Sequence, residues 1–224
     1  MKFLGIKAIC FDYYNTLVNI GQPFTDIRNW FERFLKSKND QISVEQFNMC
    51  FTKQRAKYIC HSDFMTGSSI LEESYRRTCE KYNVEHSLHA FNTFVYHLFR
   101  SPQAYEDARH TIEQLKDKYM VALITNADND VLYESMDSQG FAFDYVISSE
   151  DARCNKPGKA IFDKALQDMH MQNNELLMVG DSLQEDILGA KQQGINAIWV
   201  NRDHDVNAYN VTMVDSLNQM LQFL

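Results

Sequence analysis

Lys7-Ala8-Ile9-Cys10-Phe11-Asp12-Tyr13-Tyr14-Asn15-Thr16-Leu17 sets an apolar run directly against a carboxylate, with a hydroxyl residue four positions further on. The device recurs twice. Val121-Ala122-Leu123-Ile124 ends in Thr125-Asn126, and Leu176-Leu177-Met178-Val179-Gly180 ends in Asp181-Ser182. Apolar runs of this length between helical stretches read as parallel strands covered on both faces. Singly, an Asp at a strand end reads as a helix cap or a solvated loop residue. In an open α/β sheet, however, such strand ends converge on the ligand crevice. Asp12, Thr125 and Asp181 are therefore expected to share one site.

Between the first run and the second the pattern changes. Asp26-Ile27-Arg28-Asn29-Trp30-Phe31-Glu32-Arg33-Phe34-Leu35 repeats apolar residues at three- and four-residue spacing. Ser43 is an N-cap candidate with Gln46 as capping-box partner, opening a helix towards His61. Residues 69–82 and 86–100 supply two further helices, so residues 19–100 read as an all-helical insertion. Trp30, Tyr58 and Phe64 are expected in its interior, and His97, among Phe94, Val95 and Leu98, is assigned to packing.

After Pro102 helices and strands alternate. Helices are expected over 105–118, 129–139 (ended by Gly140), 159–169 and 185–193 (ended by Gly194), and strands over 120–125, 143–148, 176–180 and 195–201. Residues 149–155 read as a polar loop, and the tail as a short strand over 211–214 with a closing helix over 216–224. Alternation of this kind implies right-handed crossovers and a parallel sheet. The fold class is α/β: a Rossmann-like parallel-sheet core from residues 1–18 and 101–224, carrying the inserted helical domain.

Composition narrows the function classes. The chain has 224 residues, is 45% apolar with 15 Phe and 11 Tyr, and carries a formal charge of −8. That balance argues against nucleic-acid and anionic-membrane partners, leaving a small-molecule substrate. No apolar run approaches the roughly 18–20 residues that span a bilayer, and Lys7 and Asp12 interrupt any signal-like stretch at the start. Cys10, Cys50, Cys60, Cys79 and Cys154 form no C-x-x-C pair, which fits reduced thiols in a cytoplasmic protein.

With these residues in view, the chain resembles the haloacid dehalogenase-like hydrolases over 7–17 and about 105–200, with the helical stretch in the family's cap position. Phe11-Asp12-Tyr13-Tyr14-Asn15-Thr16-Leu17 is similar to the nucleophile loop D-x-D-G/N-T-L. Ile124-Thr125-Asn126 is similar to the hydroxyl motif, and Lys156-Pro157 with Ile161-Phe162 to the lysine motif. Gly180-Asp181-Ser182-Leu183-Gln184-Glu185-Asp186, with Gly189-Ala190 and Gly194, is similar to the metal motif and its helix. The resemblance implies that Asp12 is the nucleophile of covalent catalysis, that Thr125 hydrogen-bonds the phosphoryl group, and that Lys156 balances the charges of both. It implies Mg²⁺ held by Asp12, the Tyr14 carbonyl and Asp181, with Asp186 in support. Asn126, Tyr14 and Asn15 are expected against the substrate, beneath a helical cap that excludes water during attack.

Tyr14 departs from the pattern. Most family phosphatases carry a second Asp there, which protonates the leaving oxygen and then activates water. A phenol with a pKa of about 10 donates hydrogen bonds but is a poor base. Tyr at this position also resembles the metal-independent 2-haloacid dehalogenase branch, where halide needs no proton. That branch carries Ser-x-Asn and a later Asp where this chain has Gly180-Asp181-Ser182, and a cap arginine where this chain has Thr52, with Arg55 nearby. The reading is a Mg²⁺-dependent phosphatase of a small phosphorylated metabolite, working through an aspartyl-phosphate on Asp12. Two alternatives stay open: a dehalogenase, and a weakly active or non-catalytic binding protein of the same fold.

Overall fold

Ala8–Phe11, the run ahead of Asp12, forms β1 at the interior of a six-stranded parallel sheet, and all four of its residues are buried. A computed structural model describes residues 2–38, 41–59, 63–202, 204–206 and 209–224. Cys60 and His61 lie outside the described residues. Ile20–Ser101 forms one compact unit and the rest of the chain a second.

In the second unit, Val18–Asn19 (β2) pairs antiparallel with Gln103–Ala104 (β3) in a two-stranded ribbon. The main sheet adds Met120–Thr125 (β4), Tyr145–Ser148 (β5), Leu176–Gly180 (β6), Asn196–Val200 (β7) and Met213–Val214 (β8), in the order β5-β4-β1-β6-β7-β8. Phe11 stands in register with Leu123 on one side and Val179 on the other. The C-terminal ends of β1, β4 and β6, which carry Asp12, Thr125 and Asp181, therefore lie side by side at one edge of the sheet. Alternation divides the core: Ile9 and Phe11 pack with Val121, Leu123 and Leu177 on one face, while Ala8 and Cys10 pack with Ala122, Ile124 and Met178 on the other.

Glu106–Lys116 (α5) and Asn129–Gln139 (α6) contribute Ile112, Leu115 and Leu132 to the first face; Lys159–Asp168 (α8) contributes Ile161 and Phe162 to the second. Gly140 ends α6 in the left-handed region at φ 64°. Residues 149–155 depart from the expected loop. Ser148 Oγ accepts from Asp151 N at 3.0 Å and caps a short helix, Ser149–Ala152 (α7). The helix expected over 185–193 is instead a π-helical turn, Leu183–Leu188, followed by Gly189–Gln192 (α9). Closing the chain is a 3₁₀ helix over Leu217–Phe223.

The first unit consists of Pro23–Ser37 (α1), Val44–Ile59 (α2), Gly67–Tyr82 (α3) and Leu88–Arg100 (α4). Thr66 caps α3 through Ser69 N and Ser87 caps α4 through Ala90 N. Its interior is aromatic: Phe31 meets Phe47 and Phe51 at centroid distances of 5.1 and 5.0 Å, and Tyr75 stacks on Phe91 at 4.3 Å. Trp30 joins this cluster against Phe34 and Phe94. His97 does not; it is exposed, because Phe91 and Val95 occupy the buried stripe of α4. Arg55 lies over the Phe24 ring at 3.9 Å. Replacing the fully buried Phe31 by alanine removes the centre of this cluster, and urea titration of Phe31→Ala is expected to show a loss of about 3–5 kcal/mol.

Candidate active site

Lys156 Nζ donates to Asp12 Oδ1 at 2.8 Å, to Asp186 Oδ1 at 2.5 Å and to the Ile124 carbonyl at 2.8 Å. All three ammonium protons are thereby committed, and the residue is 3% exposed. Burial works against its charge, but the carboxylates of Asp12 and Asp186 outweigh that and hold the ammonium well above its ordinary pKa.

Each carboxylate is set by a strand end. Asp12 follows β1, and its N–H donates to the Val179 carbonyl at 2.9 Å. Asp181 follows β6; its Oδ1 accepts from the Thr16 hydroxyl and its N–H donates to the same hydroxyl, both at 3.0 Å. Trp199 Nε1 holds the Asp181 carbonyl at 2.8 Å. Asp186 reaches back from the π-helical turn, its Oδ2 accepting from Ser182 N at 2.9 Å. That return requires glycine at the end of β6, because a Cβ on Gly180 would fall 2.1 Å from Asp186 Oδ2. A Cβ on Gly189 would likewise fall 2.8 Å from Pro157 Cβ, so the turn and the Lys156 loop pack backbone to ring.

Ligand oxygens of Asp12, Asp181 and Asp186 all lie within 4.8 Å of one another. Three carboxylates thus share the site with one ammonium, which pairs with Asp12 and Asp186. Burial, with repulsion from Asp12 and Asp186, pushes the Asp181 carboxyl up to about 8. Burial also pushes Asp186 up to about 7, against the pull of Lys156. Hard oxygen donors with surplus negative charge are what Mg²⁺ requires. The donor set fits the ion.

The remaining expected residues fall in different places. Thr125 is buried at the end of β4, in register with Ser148. Asn126, expected against substrate, is engaged with the peptide of Lys156: Oδ1 accepts from Lys156 N at 2.7 Å and Nδ2 donates to Lys156 O at 3.1 Å. Nδ2 also donates to Glu185 Oε2 at 3.0 Å. Asn15 occupies the left-handed region at φ 57° and turns the loop, its N–H donating to Val18 O at 2.6 Å. Tyr14 packs edge-on against Tyr13 at 5.1 Å, and the Tyr13 hydroxyl pairs with Ser135 at 2.9 Å. Burial, then the neighbouring Tyr13, Asp128 and Asp12, drive the Tyr14 phenol far above its ordinary pKa, so it stays protonated. Thr16 and Asn126 were each visible as motif members, but their partners are more than a hundred and about thirty residues away, and no local spacing shows that.

The sequence matches a family model described as haloacid dehalogenase-like hydrolase over residues 9–200. A glyceraldehyde 3-phosphate phosphatase of Methanothermobacter thermautotrophicus is 32% identical over 148 residues, 60% of this chain. The chain spans 66% of that relative's length. A (S)-2-haloacid dehalogenase of Burkholderia cepacia is 23% identical over 98% of this chain and 95% of its own. Among solved structures, an L-2-haloacid dehalogenase superposes with a TM-score of 0.74 at 20% identity, covering 98% of both chains, a likeness of fold. No helix among the described residues is long and apolar enough to cross a membrane.

The raised carboxyl of Asp181 has a definite consequence for protein stripped of divalent cations. Folding strengthens its hold on a proton, so the stability it supplies is full below its ordinary value of 3.8 and is lost as pH rises through about 8. Calorimetry of the chelated protein is expected to show a Tm that falls across this window. Added Mg²⁺ should raise Tm more near its upper end than near about pH 5.5, where protons compete for the same oxygens. An equal Mg²⁺ effect at both ends would contradict this assignment.

Proposed function

The chain belongs to the haloacid dehalogenase-like hydrolases, the family whose model matches residues 9–200, and from that premise we propose a Mg²⁺-dependent phosphatase of small phosphorylated metabolites. One observation carries the reading: oxygens of Asp12, Asp181 and Asp186 converge within 4.8 Å of one another, and the ammonium of Lys156 pairs with two of the three carboxylates, Asp12 and Asp186. A site built for metal-free displacement of halide gains nothing from that surplus charge, whereas a site for a divalent cation needs it.

Asp12, Asp181 and the Tyr14 carbonyl would hold the ion. Asp186, with one oxygen on Lys156 and the other on Ser182 N–H, supports them. Bound Mg²⁺ would supply positive charge beside the phosphoryl oxygens and offset their repulsion of the nucleophile. Asp12 attacks phosphorus with a carboxylate oxygen. The bond from phosphorus to the leaving oxygen breaks, and its electron pair departs with that oxygen. Lys156 holds and aims Asp12 through its hydrogen bond to Oδ1, and Thr125 donates to a phosphoryl oxygen. Water then adds to phosphorus as the bond between phosphorus and the Asp12 oxygen breaks, its proton passing to the phosphate released, and Asp12 is regenerated as a carboxylate.

Tyr14 determines which substrates react well. Its phenol can donate a hydrogen bond to the departing oxygen, but it has no proton-accepting role at neutral pH. The general acid–base contribution, typically about 10²–10⁴ in rate, is therefore missing. Alkyl phosphates, whose leaving groups need protonation, should be slow; acyl and aryl phosphates should suffer less.

The test is a panel of acyl, aryl and alkyl phosphates alongside 2-haloacids, each with Mg²⁺ and with a chelator. Phosphate release that needs Mg²⁺ and steepens with leaving-group acidity is the expected result. Halide release that survives chelation would replace the phosphatase reading by dehalogenation, and turnover of neither class by a folded protein would favour a binding role. Asp12→Asn should reduce phosphate release to background while Tm stays near wild type. Tyr14→Asp should raise alkyl-phosphate hydrolysis by about ten- to a hundredfold, part of the missing acid–base factor.

A further inference from the structure

Arg202 lies just past the stretch that the family model matches, in the turn after β7. Its guanidinium forks onto Asp107, Nη2 to Oδ1 at 3.0 Å and Nη1 to Oδ2 at 3.3 Å. Its Cζ lies over the Tyr105 ring, 3.7 Å from the centroid. Nη2 also donates to the carbonyl of Thr16 at 3.0 Å. The next carbonyl, that of Leu17, accepts from Tyr105 N at 2.9 Å. Consecutive peptides at the end of the nucleophile loop are thus gripped by one cluster, which Asp107 ties to the chain's last helix through Leu217 N at 2.8 Å.

Thr16 is fully buried, and its hydroxyl is used in both directions by Asp181, as donor to Oδ1 and acceptor from N. With both roles filled, the position of the Thr16 backbone fixes where Asp181 Oδ1 sits. We propose that Arg202 is a positioning residue for the metal-facing carboxylate of Asp181, acting through the Thr16 peptide. The side chain's own arrangement favours that over simple neutralisation of Asp107. Its Nε is buried without a partner, a cost accepted while the fork, the stack and the third acceptor are all satisfied. Lysine would neutralise Asp107 equally well but offers neither the planar fork nor the ring stack.

The inference rests on the reading of Asp181 as a Mg²⁺ ligand, and the experiment separates the two. Mg²⁺ alone is titrated calorimetrically into chelator-stripped protein, with Tm measured in parallel. Asp181→Asn is expected to abolish binding. Arg202→Lys should weaken it about three- to tenfold, less than loss of a group that touches a ligand directly. Thr16→Val should weaken it at least as much. The double variant Arg202→Lys/Thr16→Val should be no weaker than Thr16→Val alone, because both act along one path. Tyr105→Leu removes the ring under the guanidinium and leaves the acceptors of Arg202 in place; it should weaken binding in smaller measure and serves if Arg202→Lys fails to fold. Lowered Tm with wild-type Mg²⁺ affinity in Arg202→Lys, or in Tyr105→Leu, would reduce the cluster to a structural pin. Additive losses in the double variant would place its action elsewhere. A wild-type protein that binds no Mg²⁺ would remove the metal reading itself, and this inference with it.

Discussion

Lys156 Nζ, surrounded by Asp12 Oδ1, Asp186 Oδ1 and the Ile124 carbonyl, is the contact on which the site's geometry depends. An ammonium removed from water is tolerable only when all its protons are taken by good acceptors, and here they are. The same three bonds join the end of β1, the end of β4 and the turn after β6. Without the ammonium, the buried Asp186 carboxyl would lose the charge that offsets its burial and would hold its proton more strongly. The loop that delivers Lys156 is held in turn by Asn126, whose amide pairs with both polar groups of the Lys156 peptide. Strand order makes this possible: β4, β1 and β6 are immediate neighbours, so residues 144 and 165 apart in sequence meet at one edge.

One ammonium does not neutralise three carboxylates. Burial first, and then the charge of the neighbouring carboxylates, pushes the carboxyls of Asp181 and Asp186 up to about 8 and about 7. A cluster in this condition accepts protons or a cation. On the proposed reading, the placement of Asp181 by Thr16 on one side and Trp199 on the other favours the cation. A carboxylate whose backbone and side chain are both pinned is preorganised for a ligand with directional oxygen requirements, and protonation needs no such fixing.

The sequence made the parallel core, its helical insertion and the strand-end residues Asp12, Thr125 and Asp181 legible, because each follows a buried run whose ending is a local event. Lys156 was legible only as a member of a motif set, since its partners come from three other segments. What stayed hidden was through-space. Asn126 looked like a substrate contact because its motif places it at the site; the amide's pairing with a peptide 30 residues on has no local signature. The turn after β6 looked like an ordinary helix because its residues suit one. Its widening reflects the return of Asp186 over Gly180. Arg202 gave no signal at all, since its acceptors at Asp107 and Thr16 lie 95 and 186 residues away. His97 was misplaced for the opposite reason, its apolar sequence neighbours lying partly around the helix rather than beside it.

Tyr14 then has a reading beyond the loss of an acid. Asp at this position would bring a fourth carboxylate towards a group that already holds three and a single ammonium. Each added negative charge raises the carboxyls of Asp181 and Asp186 further. A phenol that stays neutral at all working pH values adds no charge, and its ring packs against Tyr13, which Ser135 anchors. The exchange gives up proton transfer to the leaving group and limits the anionic load around Asp12. Such a trade is tolerable only where the leaving oxygen is already a stable anion. On the proposed phosphatase reading, the side chain at position 14 and the substrate's leaving group are two halves of one constraint, and alkyl phosphates are the substrates this loop serves least well.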